Sequence, residues 1–546
     1  MRTILSIVFV FLLFVWSDIM FAQDVFTQQR AFWLLEAERS KPELHKEICY
    51  PVRLVNAIND RTVWQDWRME SVGDPDVCYQ MSFKEKQQVL FDFGRHLTGY
   101  LTFRLTTLSR VQDAPIKLRF IGAEVPSEVS TPFDPYPGTL SRGWLQDEII
   151  TITEIDRDIT LPRRFACRYV KVELLGASAD FDFALSKIYV TAQTSVQVRP
   201  SSLPESTETK IKQIDLTALE TLKECMQTVY EDGPKRDQRL WIGDLYLESL
   251  ANIYTYKQLS LTRRCLYLLA GLSAEDGRLH ANVFEHPIPH PQTGTFCMDY
   301  SLLYNLTLLD YVKATGDMQT AEDLFPVVEM QLHHALSYVS NGLFDQHLHE
   351  PRLWLFFDWC DGFVPDASIQ GLLILALNRS AELVRMIGRK AEANKWTQLA
   401  RKMKIAARRA YYRPDIGLVI SGDGQQISYL SQSWMILSGV LSPKEARRAL
   451  ENVMQSPSAV RPRTPYAWHY VIEAAITCNM HHEARKLLTD YWGGMLDKGA
   501  DTFWEVYDPA DSSLSPYHFA PVNSYCHAWS CTPAYFIRRY PDIFQQ

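Results

Sequence analysis

The sequence predicts two folded units in series: an N-terminal antiparallel β-sandwich of jelly-roll type, then an all-α (α/α)6 barrel of six helical hairpins. Three observations carry this prediction. The chain has 546 residues, more than one ordinary domain holds. From about residue 46 to 195, short branched and aromatic segments alternate with turn residues, the pattern of a sandwich or jelly roll. After a Pro- and Ser-rich stretch the apolar period changes to that of helices.

Taken in order, residues 1–22 read as an export signal. Arg2 supplies the positive end, Ile4 to Val15 the apolar run, and Phe21-Ala22-Gln23 the cleavage site. The reading implies a periplasmic or secreted protein. No later stretch reaches the roughly 18–20 apolar residues of a membrane span, so no membrane partner is expected after cleavage. Residues 23–45 form a lead-in with a helical stretch, Phe26 to Lys41. The sandwich, 46–195, contains strands at Gln88–Phe93, Tyr100–Leu108, Ile116–Ile121, Ile149–Ile155, Arg168–Leu174 and Leu185–Ala192. Residues 196–207 form a linker around Pro200 and Pro204.

The remainder, 208–546, holds about twelve helical segments. They begin Thr209–Val229, Ile242–Tyr256, Leu259–Leu272 and Cys297–Ala314, and the last is Ser524–Arg539. Twelve helices pair as six hairpins, with long loops gathered at one mouth, where sites usually sit.

Composition excludes several function classes. Hydrophobic residues are 47% and charged residues 22%, the balance of a globular protein with ample core. The net charge is -8 and no Lys/Arg-rich run occurs, so a nucleic-acid partner is not expected. Ten cysteines are scattered without a CxxC pair, against a disulfide scaffold or a zinc site. One or two disulfides fit an oxidising compartment, and most of the thiols are expected as small buried hydrophobes. His280, His286 and His290 lie in a Pro-rich loop, read as a loop at the barrel mouth that contacts substrate rather than as a metal site. No phosphate-binding Gly loop or nucleophile elbow is present. Neither metal nor cofactor is predicted.

Two clusters could carry chemistry. The first runs from Asp232 to Asp244 (Asp-Gly-Pro-Lys-Arg-Asp-Gln-Arg-Leu-Trp-Ile-Gly-Asp) at a loop-to-helix entry. Asp237 and Asp244 could bracket a substrate there, and Trp241 offers a stacking face; an acidic helix start paired with its own arginines is the bland alternative. The second runs from Asp501 to Asp508, with Glu505 between Trp504 and Val506, and is followed by Asn523 to Ser530. A carboxyl in an apolar wall suits proton transfer, although a buried Glu paired with an Arg has the same pattern. Glycosidic hydrolysis needs two carboxyl groups flanking the bond. One from each cluster, with Trp and Tyr as sugar platforms, would supply them.

Asp232, Arg236, Asp237, Trp241, Gly243 and Asp244 keep a spacing that resembles the signature loop of the family 78 glycoside hydrolases, the bacterial α-L-rhamnosidases. Thr502-Phe503-Trp504-Glu505 is similar to that family's general-base motif, and His527 to its substrate-binding His. Weaker echoes are Asp299-Tyr300 and Asp358-Trp359. The likeness spans about 87–540. It implies a secreted, inverting hydrolase of terminal α-L-rhamnose or a similar deoxy sugar in an oligo- or polysaccharide. Asp237 would be general acid, Glu505 general base, and Asp232, Arg236, Trp241, Asp244, Trp359, Trp504 and His527 would hold the sugar. Asp237 stands where the family's acid is usually Glu, which leaves Glu248 as an alternative acid. A glycosidase or lyase for a uronide, or a silent carbohydrate-binding relative, are the competing readings.

Overall fold

The computed structural model describes residues 24–109, 111–349 and 353–546; the expected export signal lies outside them. Among the described residues no helix is long and apolar enough to cross a membrane.

The N-terminal part is an antiparallel sheet of eight strands: β1 (His45–Cys49), β2 (Arg53–Asn59), β3 (Trp67–Gly73), β4 (Gln88–Thr107), β5 (Ile116–Ala123), β6 (Asp147–Ile152), β7 (Asp158–Gly176) and β8 (Phe183–Thr194). Their order is β1-β8-β4-β7-β5-β6, with β2 joining β4 and β3 joining β2. The two segments expected at Gln88–Phe93 and Tyr100–Leu108 are one long strand, β4. Its register against β7 shifts between Asp92 and Leu97, where Gly94 takes φ +77°. A glycine in that conformation absorbs the irregularity without ending the strand.

Alternation along β5 explains how the sheet serves two cores. Ile116, Leu118 and Phe120 pack with Phe91, Phe103 and Phe165 in the sheet's own core. Ile121 and Ala123 instead join Val129, Phe133, Tyr517 and Val522, a cluster shared with the C-terminal part. Period-two side-chain direction thus gives one strand both an inner face and a docking face.

The C-terminal part is helical. Burial sorts its helices into two kinds. Met298–Thr315 is buried along nearly its whole length, as a helix apolar on all sides requires. Lys390–Tyr411 buries only Ala393, Trp396, Ala400, Met403 and Ala407. Pro443–Gln455 buries Ala446, Ala449, Leu450 and Val453, one stripe at i, i+3, i+4 and i+7. Its start is fixed by Pro443 at the first turn and a Ser442–Glu445 capping box. Helix Ile242–Tyr254 packs on Met298–Thr315, which packs on Asp366–Met386, then Tyr429–Leu437, then Pro465–Thr477; Pro533–Arg539 packs back on Ile242–Tyr254.

One expected helix is shorter than its pattern. Of Ser524–Arg539, only Pro533–Arg539 is α-helical, preceded by a 3-10 turn at Ala528–Cys531. The upstream backbone is used elsewhere: His527 N donates to Phe503 O at 2.9 Å and Ala528 N to Asp232 O at 2.7 Å. Those cross-chain bonds replace the intrahelical ones. All ten cysteines are free, and eight of them are buried.

Candidate active site

A cavity of about 290 Å³ opens among the N-terminal ends of the interior helices. Asp232, Arg236, Asp237, Trp241, Asp244, Trp359, Glu505 and His527 all line it, joined by Tyr300, Trp354, Phe356, Tyr517 and Trp529. Eight of the nine residues singled out in the sequence therefore meet at one place. Trp504 does not. Its ring stacks on Trp64 at 5.7 Å, between the sheet and the helical part.

The loop 231–239 is shaped by close packing. A Cβ on Gly233 would lie 2.4 Å from Arg236 O, and one on Gly243 would lie 2.3 Å from the Tyr300 ring. Glycine is what lets both chains approach. Asp232 turns its carboxylate inward and accepts from Asp237 N (3.0 Å) and Arg239 N (3.1 Å), so it shapes the loop. Burial, and then the neighbouring Asp237, push the Asp232 carboxyl up to about 8.

Arg236 bridges the two candidate catalytic carboxylates. One guanidinium nitrogen lies 3.2 Å from Asp237 Oδ1 and the other bonds Glu505 Oε2. Its Nε donates to Val522 O at 2.8 Å. Burial opposes the Arg236 charge, but Glu505, Tyr517 and Asp237 outweigh that and hold it protonated. Glu505 also accepts from Tyr517 OH at 2.5 Å and from Ser524 N at 3.0 Å. Trp529 Nε1 fixes the Glu505 carbonyl at 3.0 Å. Asp237 has looser company, with Arg239 Nη1 at 3.6 Å.

The opposite wall carries Asp244 and His527. Burial, and then Asp232, raise the Asp244 carboxyl. Burial, and then Arg236, lower the His527 imidazole. Burial thus disfavours the charged form of both groups. Asp244 Oδ1, His527 Nδ1, Trp241 Nε1, Trp359 Nε1 and Arg239 Nε are buried without a hydrogen-bond partner among the described residues. Buried polar atoms are normally paired. Asp244 Oδ1 and His527 Nδ1 stand 3.6 Å from each other, and all five atoms belong to residues lining the cavity. Trp359 is set in place by Asp358, which accepts from Arg463 N, Thr464 N and Thr464 Oγ1 at 2.7–2.9 Å.

Glu248 does not line the cavity; it is fully buried on the helix behind Asp244. Of the histidine loop, His280 stacks on Phe296 and His290 on Phe284, while Gln292 and Thr295 reach the cavity. Sequence reasoning missed Tyr517 and Leu140. Leu140 comes from the sheet part, so no local pattern could have joined it to the site.

A sheet part docked to a helical part, with a polar, aromatic-walled cavity holding two bridged carboxylates, defines a glycoside hydrolase. The model for the glycosyl hydrolase family 78 alpha-rhamnosidase N-terminal domain matches residues 51–192. That for the bacterial alpha-L-rhamnosidase 6 hairpin glycosidase domain matches residues 201–540. A rhamnosidase from Klebsiella oxytoca, solved with rhamnose bound, is 38% identical with a TM-score of 0.90; the match covers 94% of this chain and 99% of that one. The Bacillus sp. GL1 family 78 rhamnosidase (21% identity, TM-score 0.69) shares the fold, over 82% of this chain and 46% of that one. So does the Streptomyces avermitilis alpha-L-rhamnosidase complexed with L-rhamnose (16%, TM-score 0.64), over 91% of this chain and 44% of that one. No curated protein matches the sequence. The chain belongs to the family 78 α-L-rhamnosidases.

Proposed function

We propose that this enzyme releases terminal α-L-rhamnose from an oligosaccharide, polysaccharide or glycoside with inversion of configuration. Asp237 protonates the leaving oxygen. Glu505 removes a proton from the attacking water. The observation that carries the reading is that Asp237 and Glu505 line one aromatic-walled cavity and both meet the guanidinium of Arg236. Inversion requires the two carboxyl groups to stand roughly 6.5–9.5 Å apart, which leaves room for the attacking water. Trp241, Trp359, Asp244 and His527 contact the sugar, and Asp232 shapes the loop that presents Asp237. The uronide reading gains nothing from Arg236, whose guanidinium is engaged with the cavity's own two carboxylates.

The same proposal assigns 46–195 to an accessory sandwich, 196–207 to a linker and 208–546 to a six-hairpin barrel. The succession of helix packings from Ile242–Tyr254 round to Pro533–Arg539 supports the barrel. Export follows from the sequence of residues 1–22. The test is turnover of 4-nitrophenyl α-L-rhamnoside by the purified mature chain. Nitrophenol release that free L-rhamnose inhibits is expected. Release only from other glycosides would overturn the sugar assignment.

A further inference from the structure

The search for groups the proposed chemistry does not use leads to a buried charge cluster beneath the Asp237 loop. Lys235, 2% exposed, directly precedes Arg236. Its ammonium lies 2.9 Å from Glu124 Oε2 and 2.6 Å from Glu128 Oε1. Both carboxylates come from the sheet part, just beyond β5. The ammonium also approaches Pro521 O at 3.4 Å and stands 5.2 Å from the Tyr525 ring centre. Behind Glu124 stands His96, at 3.1 Å, and behind His96 stands Glu224, at 3.6 Å.

Glu124 has a second task. The oxygen facing Lys235 also accepts from Tyr525 N at 2.6 Å. Tyr525 follows Ser524, whose own N–H holds Glu505. One carboxylate thus touches both segments that build the site: the Asp237 loop through Lys235, and the segment holding Glu505 through Tyr525. Glu128 braces the arrangement by accepting from Glu124 N at 3.0 Å. A buried ion triad brings little net stability, because desolvating three charges offsets most of their attraction. What it does bring is a fixed position.

We infer that Lys235, gripped by Glu124 and Glu128 of the sheet part, is a positioning residue that sets Arg236 between Asp237 and Glu505. The inference rests on the proposed roles of those two carboxylates. The sheet part is then a working component of the active site rather than an appendage.

The test compares Lys235→Met with Arg164→Met in the full chain. Arg164 makes another buried pair between the two parts, with Glu231 at 2.6 Å, and its guanidinium reaches Pro234 O at 3.4 Å, but it neither precedes Arg236 nor touches Tyr525. On 4-nitrophenyl α-L-rhamnoside, Lys235→Met is expected to lower kcat about 100-fold with KM within about threefold. The acidic limb of its kcat/KM profile should move to higher pH, because a carboxylate that loses an aligned guanidinium ionises less readily. Arg164→Met should lower the melting temperature and leave that limb in place. A limb that stays put in Lys235→Met, or moves equally in both variants, reduces the triad to domain adhesive and overturns the inference. Should Lys235→Met not fold, Glu128→Gln replaces it, with a smaller displacement expected and an unmoved limb again contradicting. Full activity in Glu505→Gln would instead bring down the base assignment, so the two failures are distinguishable.

Discussion

Glu505 and Asp237 share the guanidinium of Arg236, yet their surroundings differ. The Glu505 side chain is 2% exposed and that of Asp237 is 15% exposed. Glu505 is bound by Arg236, Tyr517 OH and Ser524 N. Asp237 has only long contacts to two arginines, and its own backbone N–H serves Asp232. In the proposed mechanism a carboxylate tied by three donors keeps the direction that a base aiming water needs, while one with looser contacts and more exposure is free to meet a departing oxygen. Two carboxylates on one guanidinium would then do different work because their surroundings differ.

The sharpest way to break this comparison is to neutralise each side in turn. Glu505→Gln is expected to lower kcat about 10³–10⁴-fold, the upper range for a lost proton-transfer group. The loss should be the same for aryl and alkyl rhamnosides. Asp237→Asn should cost about 10²–10³-fold on alkyl rhamnosides and markedly less on nitrophenyl ones, whose leaving group needs little protonation. Equal losses on both substrates would remove the acid role from Asp237. Tyr517→Phe deletes one of the three donors on Glu505. A hydrogen bond to a charged group is worth about 1.5–3 kcal/mol, so a fall of about 10- to 100-fold in kcat is expected, with KM little changed.

The smallest effect concerns stability. Burial pushes the carboxyl of Asp299 up to about 7 and that of Asp358 to about 6. Between an ordinary carboxyl value and these, the folded state holds protons the unfolded chain has released. The contribution of these two groups to stability therefore falls as pH rises from about 4 to 7. Asp299 Oδ2 has no hydrogen-bond partner among the described residues, and Oδ1 accepts from Phe356 N at 3.0 Å. Asn can fill that role without a titrating group. Urea unfolding of Asp299→Asn at pH 5 and pH 8 should show a decline shallower by about 1–2 kcal/mol than the unsubstituted protein. An unchanged slope would contradict burial as the cause.

The helices were legible in the sequence because their apolar period runs over ten or more residues, and the helix expected at Leu259–Leu272 is found at Leu259–Gly271. The split of β4 was misread because Gly94-Arg95-His96 has the composition of a turn. Ser524–Thr532 was misread because its helical pattern yields to bonds made across the site. The Asp232–Asp244 loop could be read whole, since it supplies six cavity residues from one contiguous segment. Trp504 was misplaced by its neighbour: next to Glu505 in sequence, it faces the opposite side of the chain. Leu140, Glu124 and Glu128 had no local signature, since their roles exist only once the sheet docks, and Tyr517 had none because it meets Glu505 from a separate loop.

The most direct test of the account is the stereochemistry of the first turnovers. Proton NMR of 4-nitrophenyl α-L-rhamnoside hydrolysis should show the β-anomer of L-rhamnose appearing first, with the α-anomer growing in only as mutarotation proceeds. Initial release of the α-anomer would mean retention, and Glu505 could not then be a base acting on water.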